Sequence, residues 1–208
     1  MNKEGIILVG AGGHAISCID AIEAQNKYQI LGLVGLPKEM ETEILGYKII
    51  SADDGLGELA LNCPNALITL GSIKSPKRRI DLYEKLIKFG FNLPTIVSPR
   101  AYVSPHAVVG FGTIVLHGAI INAGANIGNN CIINSCSLVE HGAFVGSHVH
   151  LSTGAILNGD VRVGSGSYIG SGCAIKEGVS IGEGCLVAMG LTVRHDLPDN
   201  SYFLGGKN

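Results

Sequence analysis

The sequence predicts two domains: a small α/β Rossmann-like domain over residues 1–95, then a parallel β-helix of hexapeptide repeats over residues 96–208. A step in composition is the first observation, because residues 1–96 carry 21 charged side chains and the 97 residues from Val97 to Val193 carry seven. The second observation is a branched aliphatic residue at every sixth position of the second part. The third is glycine, which supplies 30 of 208 residues, about twice its usual share of roughly 7%.

The first domain has the pattern of alternating strands and helices. Apolar segments at residues 5–9, 30–34 and 66–70 are typical of buried strands. Two segments between and after them predict helices, one with Ile16, Ile19 and Ile22 on one face, and one over residues 76–89 with Leu82, Leu86 and Phe89 on one face. Strands that alternate with helices favour a parallel sheet.

Two glycine turns follow strands of this sheet and are candidate substrate-binding segments. The first contains Gly10, Gly12, Gly13 and His14, and the second is Gly71-Ser72. Ligands of open α/β sheets bind at the carboxyl edge, and a glycine turn before a helix lets backbone amides approach a phosphate. No acidic residue ends the second strand to hold a ribose, which disfavours NAD. A nucleotide-sugar phosphate fits, and a tight turn that binds nothing stays open.

The second domain is defined by a strict period of six residues. A helix would repeat every 3.6 residues and a lone sheet every two, so the hexapeptide β-helix is the architecture that explains the pattern. The repeated branched aliphatics are Val97, Val103, Val109, Val115, Ile121, Ile127, Ile133, Val139, Val145, Leu151, Leu157, Val163, Ile169, Ile175, Ile181, Val187 and Val193.

A longer period of 18 residues predicts a triangular prism with three hexapeptides per coil. The residue after each aliphatic falls into three classes: one is glycine from Gly110 to Gly182, and another is the polar series Ser104, Asn122, Glu140, Asn158, Lys176 and Arg194. Each class runs along one edge of the prism, and the aliphatics point inward. We expect about five coils with strands about 4.8 Å apart.

His141 lies beside Glu140 on the polar edge and is the candidate general base. Its equivalents one coil away are Ala123 and Gly159, so small neighbours leave space around the imidazole. A solvated surface histidine is the alternative. His148 and His150 could suggest a metal site, but no third ligand is evident, and we predict no metal.

The GAGGH turn, the uninterrupted hexapeptides, the Val139-Glu140-His141 segment and the Gly146-to-His150 stretch together resemble one family. It is the sugar O-acyltransferase family of the sialic acid O-acetyltransferase and UDP-4-amino-sugar N-acetyltransferase type. The resemblance covers nearly the whole chain. It implies a left-handed β-helix, a homotrimer, and acetyl-CoA bound as co-substrate in the groove between neighbouring prisms.

The resemblance also implies roles for individual residues. His141 would be the general base, His150 would contact acetyl-CoA, and the backbone N–H of Gly159 would donate to the thioester oxygen. Gly170 and Ala188 are further expected acetyl-CoA contacts. Gly12, Gly13 and His14 match the turn that receives the nucleotide-sugar. The family usually has an acidic residue directly after the base, where this chain has Gly142, so either Glu140 orients His141 or the ring has no carboxylate to assist it.

We therefore expect an acetyl-CoA-dependent acetyltransferase that acts on the amine of a nucleotide-linked amino sugar in bacterial surface-glycan synthesis. O-acetylation of sialic acid or a related nonulosonic acid is the alternative, and a non-catalytic nucleotide-binding trimer is the second. A net charge of -2 gives no footprint for nucleic acid or an anionic membrane. No apolar run is long enough for membrane insertion, and the start of the chain lacks a signal-peptide pattern, so a cytoplasmic location is expected.

Overall fold

A computed structural model describes residues 3–205. The first domain is a five-stranded sheet with strand order β3-β4-β2-β1-β5, in which only β3 runs antiparallel to its neighbour. Its elements are β1 Glu4–Val9, α1 Gly13–Gln25, β2 Tyr28–Gly35, a 3₁₀ turn Pro37–Glu39, β3 Glu43–Ile44, β4 Tyr47–Ala52, α2 Leu56–Asn62, β5 Ala66–Ile68 and α3 Lys77–Lys88.

The three predicted strands and two predicted helices of this domain are confirmed, with two corrections to the helix faces. Ile19 and Ile22 of α1 are buried, whereas Ile16 is exposed. Leu82 and Leu86 of α3 are buried, whereas Phe89 directly follows the helix and is exposed. Each of these helices buries a narrower stripe than its apolar pattern, because one apolar residue at an end of the pattern, Ile16 in the first case and Phe89 in the second, is left uncovered.

The second domain is a left-handed parallel β-helix with three faces, each a ladder of two-residue strands. The docked face comprises Ile96–Val97, Ile114–Val115, Ile132–Ile133, His150–Leu151, Tyr168–Ile169, Leu186–Val187 and Tyr202–Phe203. The apolar face comprises Tyr102–Val103, Ile120–Ile121, Leu138–Val139, Ile156–Leu157, Ala174–Ile175 and Thr192–Val193. The mixed face comprises Val108–Val109, Asn126–Ile127, Phe144–Val145, Arg162–Val163 and Ser180–Ile181.

The aliphatics of the six-residue repeat form the core of the prism. From Val115 to Val193 every one of them is buried, while Val97, Val103 and Val109 of the first coil are partly buried and pack against the same core. Residues 18 apart pair in parallel register, as Val139 does with Ile121 and Leu157. The predicted inward period is therefore confirmed, and the first coil is less covered because no coil precedes it.

The docked face carries the first domain. Ile96, Ile114 and Ile132 share a buried cluster with Cys18 and Ile19 of α1. A hydrogen-bonded chain also crosses the junction, because Nε2 of His117 lies 2.6 Å from an oxygen of Asp20 on α1, and its Nδ1 lies 2.5 Å from Oγ of Ser98.

None of the helices formed by residues 3–205 has the length and apolar content needed to span a bilayer.

The glycine edge, between the mixed and docked faces, exists because successive coils approach too closely there for a side chain. A Cβ at Gly164 would lie 2.5 Å from the backbone nitrogen of Glu183, and one at Gly146 would lie 2.7 Å from that of Ser165. Real Cβ atoms essentially never make such contacts with backbone. Close stacking of the backbone of successive coils therefore explains why glycine recurs every 18 residues in the sequence.

We expect Gly164→Ala to lower the free energy of unfolding by about 1–3 kcal/mol, because the added methyl group forces two coils apart. Gly178→Asn is the matched control: a Cβ there meets nothing within 4 Å, and its φ of +70° resembles that of Asn130, at 55°. The control should change stability by less than about 0.5 kcal/mol. Denaturant unfolding measures both, and equal midpoints for the two variants would contradict this explanation of the edge.

Candidate active site

His141 lies at the polar edge, where the apolar face turns into the mixed face. Its imidazole is exposed and lies across Gly159 of the next coil: a Cβ at Gly159 would be 2.6 Å from Cε1 and 2.9 Å from Nε2 of the ring. No hydrogen bond from the described residues reaches either ring nitrogen. The space predicted around this imidazole is present, and both nitrogens are free for a substrate.

The backbone N–H of Gly159, beneath the His141 ring, makes no hydrogen bond to any of residues 3–205. A free N–H beside a free imidazole is the pairing that acyl transfer requires, since one group takes a proton and the other stabilises negative charge on oxygen. The sequence resemblance pointed to this N–H, and the geometry leaves it available.

Glu140 contacts the main chain of His141 and not its ring. Its Oε2 accepts a hydrogen bond from Nδ2 of Asn122 at 2.9 Å and one from the backbone N–H of His141 at 3.3 Å. A second carboxylate comes from the next coil, because Oδ1 of Asp160 lies against the position that a Cβ of Gly142 would take. A carboxylate therefore lies beside residue 142 although that residue is glycine.

The first glycine turn lines a cleft of about 160 Å³ at the carboxyl edge of the sheet. Gly10 has a φ of +120°, and a Cβ there would lie 2.9 Å from the backbone nitrogen of Leu70, so this close turn requires glycine. Gly12 and Gly13 have nothing within 4 Å of an added Cβ. The turn thus presents open backbone at the N-terminus of α1, where a phosphate is favoured.

Three charged residues of this cleft were not identified from the sequence: Glu39, Asp53 and Arg78. Asp53 directly follows β4, a strand absent from the sequence-based prediction, so its place at the carboxyl edge could not be inferred. Glu39 belongs to the 3₁₀ turn after β2, and its carboxylate accepts the backbone N–H of Leu36 at 2.8 Å. Acidic groups therefore enter the cleft from segments other than the end of β2.

His14 and His150 meet at the junction of the two domains, with ring centroids 6.3 Å apart. Burial, with smaller effects from Arg79 and His150, lowers the pKa of His14 to about 3, and its Nε2 is buried without a hydrogen-bond partner among the described residues. Burial likewise lowers the pKa of His150 to about 4. Both imidazoles are neutral near pH 7.

The second glycine turn reaches the prism through Ser72. The backbone oxygen of Ser72 accepts a hydrogen bond from Nδ1 of His150 at 2.8 Å. Gly71 lies over His14, and a Cβ added at residue 71 would be 3.7 Å from the Cβ of His14. Ser72 and His150 are both buried.

His148 has a separate structural partner, since its Nδ1 accepts a hydrogen bond from Nδ2 of Asn130 at 2.9 Å. In residues 3–205 no group of three His, Cys, Asp or Glu could hold a metal.

The predicted site residues fall into separate places within one chain. His141, Glu140 and Gly159 lie on the polar edge, whereas His14, Ser72 and His150 lie at the docked face, which is opposite that edge in a triangular prism. Gly170 and Ala188 stack in adjacent coils on the third edge, between the docked and apolar faces. One chain therefore does not bring its own base to its own glycine turn.

Comparisons with known proteins agree over nearly the full length. The family model described as PglD N-terminal domain matches residues 5–86. The H141N mutant of perosamine N-acetyltransferase from Caulobacter crescentus, solved with CoA and GDP-perosamine, is 30% identical over 95% of this chain and 92% of that chain, with a TM-score of 0.90. The acetyltransferase domain of PglB from Neisseria gonorrhoeae, solved with acetyl coenzyme A, is 27% identical over 97% and 96%, with a TM-score of 0.89.

A third structure, WeeI from Acinetobacter baumannii, is 22% identical over 95% of each chain with a TM-score of 0.82, and it supports the fold alone. No curated protein sequence matches the chain.

Proposed function

The chain belongs to the hexapeptide-repeat family of sugar N-acetyltransferases, and we propose that it transfers the acetyl group of acetyl-CoA to the amine of a nucleotide-linked amino sugar. The observation that carries the proposal is the pair formed by the free imidazole of His141 and the free N–H of Gly159 beneath it. We propose the synthesis of bacterial surface glycans as the setting in which the product is used, and the cytoplasmic location expected from the sequence remains a prediction.

In the proposed reaction the amine nitrogen of the sugar attacks the thioester carbonyl carbon of acetyl-CoA. A ring nitrogen of His141 takes the proton that the amine loses, since imidazole is the side chain suited to this near neutral pH. The backbone N–H of Gly159 donates to the carbonyl oxygen while that oxygen carries negative charge. The carbon–sulfur bond then breaks, the sulfur of CoA leaves as a thiolate and takes the proton held by His141, and the sugar keeps the acetyl group as an amide.

We assign Glu140 a positioning role in this reaction. Its hydrogen bonds to the Asn122 amide and to the backbone N–H of His141 fix the turn from which the imidazole projects. Asp160 supplies a carboxylate beside Gly142, close to the place where the family has its acidic residue. The orientation of the base therefore depends on main-chain support from Glu140 on one side and packing on Gly159 on the other.

We propose a homotrimer whose active sites lie between neighbouring chains. The outward side chains of the apolar face support it: Tyr102 and Ile120 are 55% and 40% exposed, and the stripe continues through Leu138, Ile156 and Ala174. The first two side chains of this apolar stripe are exposed and the next three are half-buried, and a contiguous apolar patch that solvent reaches is typical of a protein interface. A ring of three copies would also bring the polar edge of one chain toward the docked face or third edge of the next, where His150, Gly170 and Ala188 are the proposed acetyl-CoA contacts.

The cleft beside Gly10 and Gly12 is the proposed nucleotide site, with Arg78 as its cation. We expect Arg78→Ala to raise the KM for the nucleotide-sugar by about tenfold, because a hydrogen bond to a charged group contributes about 1.5–3 kcal/mol. The value of kcat at saturation should change little, since Arg78 is proposed to bind the nucleotide and not the reacting amine. Lys77→Ala, next in the same helix but paired on the surface with Asp81, is the control. The KM of Arg78→Ala should exceed that of Lys77→Ala, and equal values would contradict the assignment of Arg78 to the nucleotide site.

Thiol release from acetyl-CoA, measured against a panel of GDP- and UDP-linked amino sugars and nonulosonic acids, tests the proposed function. We expect release with at least one nucleotide-linked amino sugar and an amide product by mass spectrometry. Release with only the nonulosonic acids would indicate O-acetylation. Absence of release with every acceptor would indicate a non-catalytic nucleotide-binding trimer.

A further inference from the structure

Arg79 of α3 is a fully buried arginine at the junction of the two domains. Its Nη1 donates to the backbone oxygens of Ile68 at 2.8 Å and Leu70 at 2.9 Å, at the end of β5. Its Nε donates to the backbone oxygen of Asn130 at 3.2 Å, on the glycine edge of the prism. One guanidinium thus joins the carboxyl edge of the sheet to a coil of the β-helix.

The charge of this guanidinium has no counterion in the part of the chain that the structure describes. The contacts between basic and acidic side chains within residues 3–205, Lys77–Asp81 and His117–Asp20, do not include it. Besides the histidines, the ionisable groups that interact with it are the thiols of Cys18 and Cys131, and burial raises their pKa to about 12 and about 11, so both are neutral. An unpaired buried charge is unfavourable, and Nη2 has no partner among the described residues. A role in stabilising the fold therefore does not explain why an arginine is buried at this position.

The segment that Arg79 holds has two sides. Leu70 lines the nucleotide cleft together with Gly10 and Gly12. Two residues later the backbone oxygen of Ser72 accepts from Nδ1 of His150. Because a carbonyl oxygen can only accept, the proton of His150 is on Nδ1, and Nε2 keeps its lone pair, with Nδ2 of Asn134 3.4 Å away. The position of residues 70–72 therefore determines both the orientation and the tautomer of His150.

We propose that Arg79 is a positioning residue for acetyl transfer: its guanidinium holds residues 70–72 between the nucleotide cleft and the prism, and through Ser72 it orients His150 toward acetyl-CoA. This inference rests on the proposed function, in which His150 contacts the co-substrate. Arg79 itself touches neither substrate. It acts through three backbone oxygens, and a residue of the same charge but different shape cannot reach all three at once.

The test compares Arg79→Met and Arg79→Lys with Lys77→Met, a control on the exposed start of the same helix. We expect kcat/KM for acetyl-CoA to fall by about 10²-fold in both Arg79 variants, because a displacement of about 1 Å is enough for such a loss. The KM for acetyl-CoA should rise while the KM for the nucleotide-sugar stays within about threefold, since Thr69 still ties the cleft side of the segment to Val9 and Gly10 through its backbone N–H and its hydroxyl. The control should match the unmodified enzyme.

A merely structural role would give a different result. Partial unfolding lowers the concentration of active enzyme, which lowers apparent kcat and leaves both KM values unchanged. That outcome, or recovery of full activity in Arg79→Lys, would overturn the proposal. Thermal melting shows whether Arg79→Met is folded. If it is not, Arg79→Lys alone tests the proposal: its KM for acetyl-CoA should rise while its KM for the nucleotide-sugar stays within about threefold.

Chemical rescue gives a second measurement. Arg79→Ala removes the guanidinium and leaves space for a small cation, so guanidinium chloride at non-denaturing concentration should restore part of the lost kcat/KM, whereas ammonium chloride should not. Equal effects of the two salts would overturn the proposal. If the unmodified enzyme transfers no acetyl group to any acceptor, the proposed function fails first and this inference falls with it, so the two failures are distinguishable.

Discussion

Replacing His141 with alanine is expected to lower kcat by about 10²–10⁴-fold, which is the usual contribution of a general base. The fold should persist, because the side chain is exposed at an edge of the prism and its ring makes no hydrogen bond to residues 3–205. Steady-state kinetics on the nucleotide-sugar accepted best, with thiol release as the signal, measures the loss. His106→Ala, an exposed histidine two coils earlier beside the same edge, is the control and should keep full activity.

Two outcomes would contradict this assignment of the base. A kcat within about tenfold of the unmodified enzyme would show that the proton leaves by another route. An equal loss in His106→Ala would show that the effect comes from the stability of the edge and not from the chemistry. Free imidazole added to His141→Ala should restore part of the activity, because the ring lies at an open surface with nothing to block its replacement.

Replacing Gly159 with alanine is expected to lower kcat by about 10²-fold without unfolding the protein. The added Cβ would lie 2.6 Å from Cε1 of His141, so the imidazole must move by about an ångström, a displacement that can cost this much. Stability should change little, because the group that yields is the free end of an exposed side chain and not backbone. Kinetics and thermal melting of the same preparation measure both effects.

The double variant separates displacement of the ring from any other effect of the methyl group. In a His141→Ala background there is no ring to displace, so Gly159→Ala should add little further loss, and the two substitutions should be strongly non-additive. Additive losses would mean that the methyl group acts on acetyl-CoA or on the N–H of Gly159 directly. Activity of the single Gly159→Ala variant within about threefold of normal would mean that the imidazole is not where the reaction needs it.

The prism could be predicted from the sequence almost residue by residue, because its core is a one-dimensional repeat. Each inward position, such as Val139 or Leu157, contacts its equivalents 18 residues away, so the register follows from the spacing alone. The same spacing placed His141 on an edge beside Gly159. No long-range information was needed, since neighbouring coils are neighbours in sequence.

The nucleotide cleft could not be predicted in the same way. β4 has exposed and half-buried residues along most of its length and only Ile49 fully buried, so its hydrophobic pattern is too weak to indicate a strand, and Asp53 at its end was missed. Arg78 and Arg79 are adjacent in a basic stretch that looks like a solvated helix face. Only the tertiary structure shows that Arg78 lines the cleft of the first domain and that Arg79 is completely buried against the prism.

The partners of Glu140 and His150 also depend on contacts that a sequence does not show. Glu140 was expected to orient the ring of His141, but its acceptor oxygen is taken by the Asn122 amide and by backbone. His150 was expected to face acetyl-CoA, and its Nδ1 is committed to Ser72 of the other domain. Both facts follow from how the two domains and successive coils meet, which no local pattern encodes.

Complementation between two inactive variants tests the central claim, acetyl transfer at a site shared by two chains. His141→Ala lacks the base, and Gly12→Phe places a ring at the open lip of the cleft. Neither should be active alone. Co-expressed and mixed at random in a ring of three, the two chains should form intact sites at about a quarter of the interfaces, and thiol release should recover to about that fraction of normal. No recovery above the sum of the separate variants would contradict a shared site.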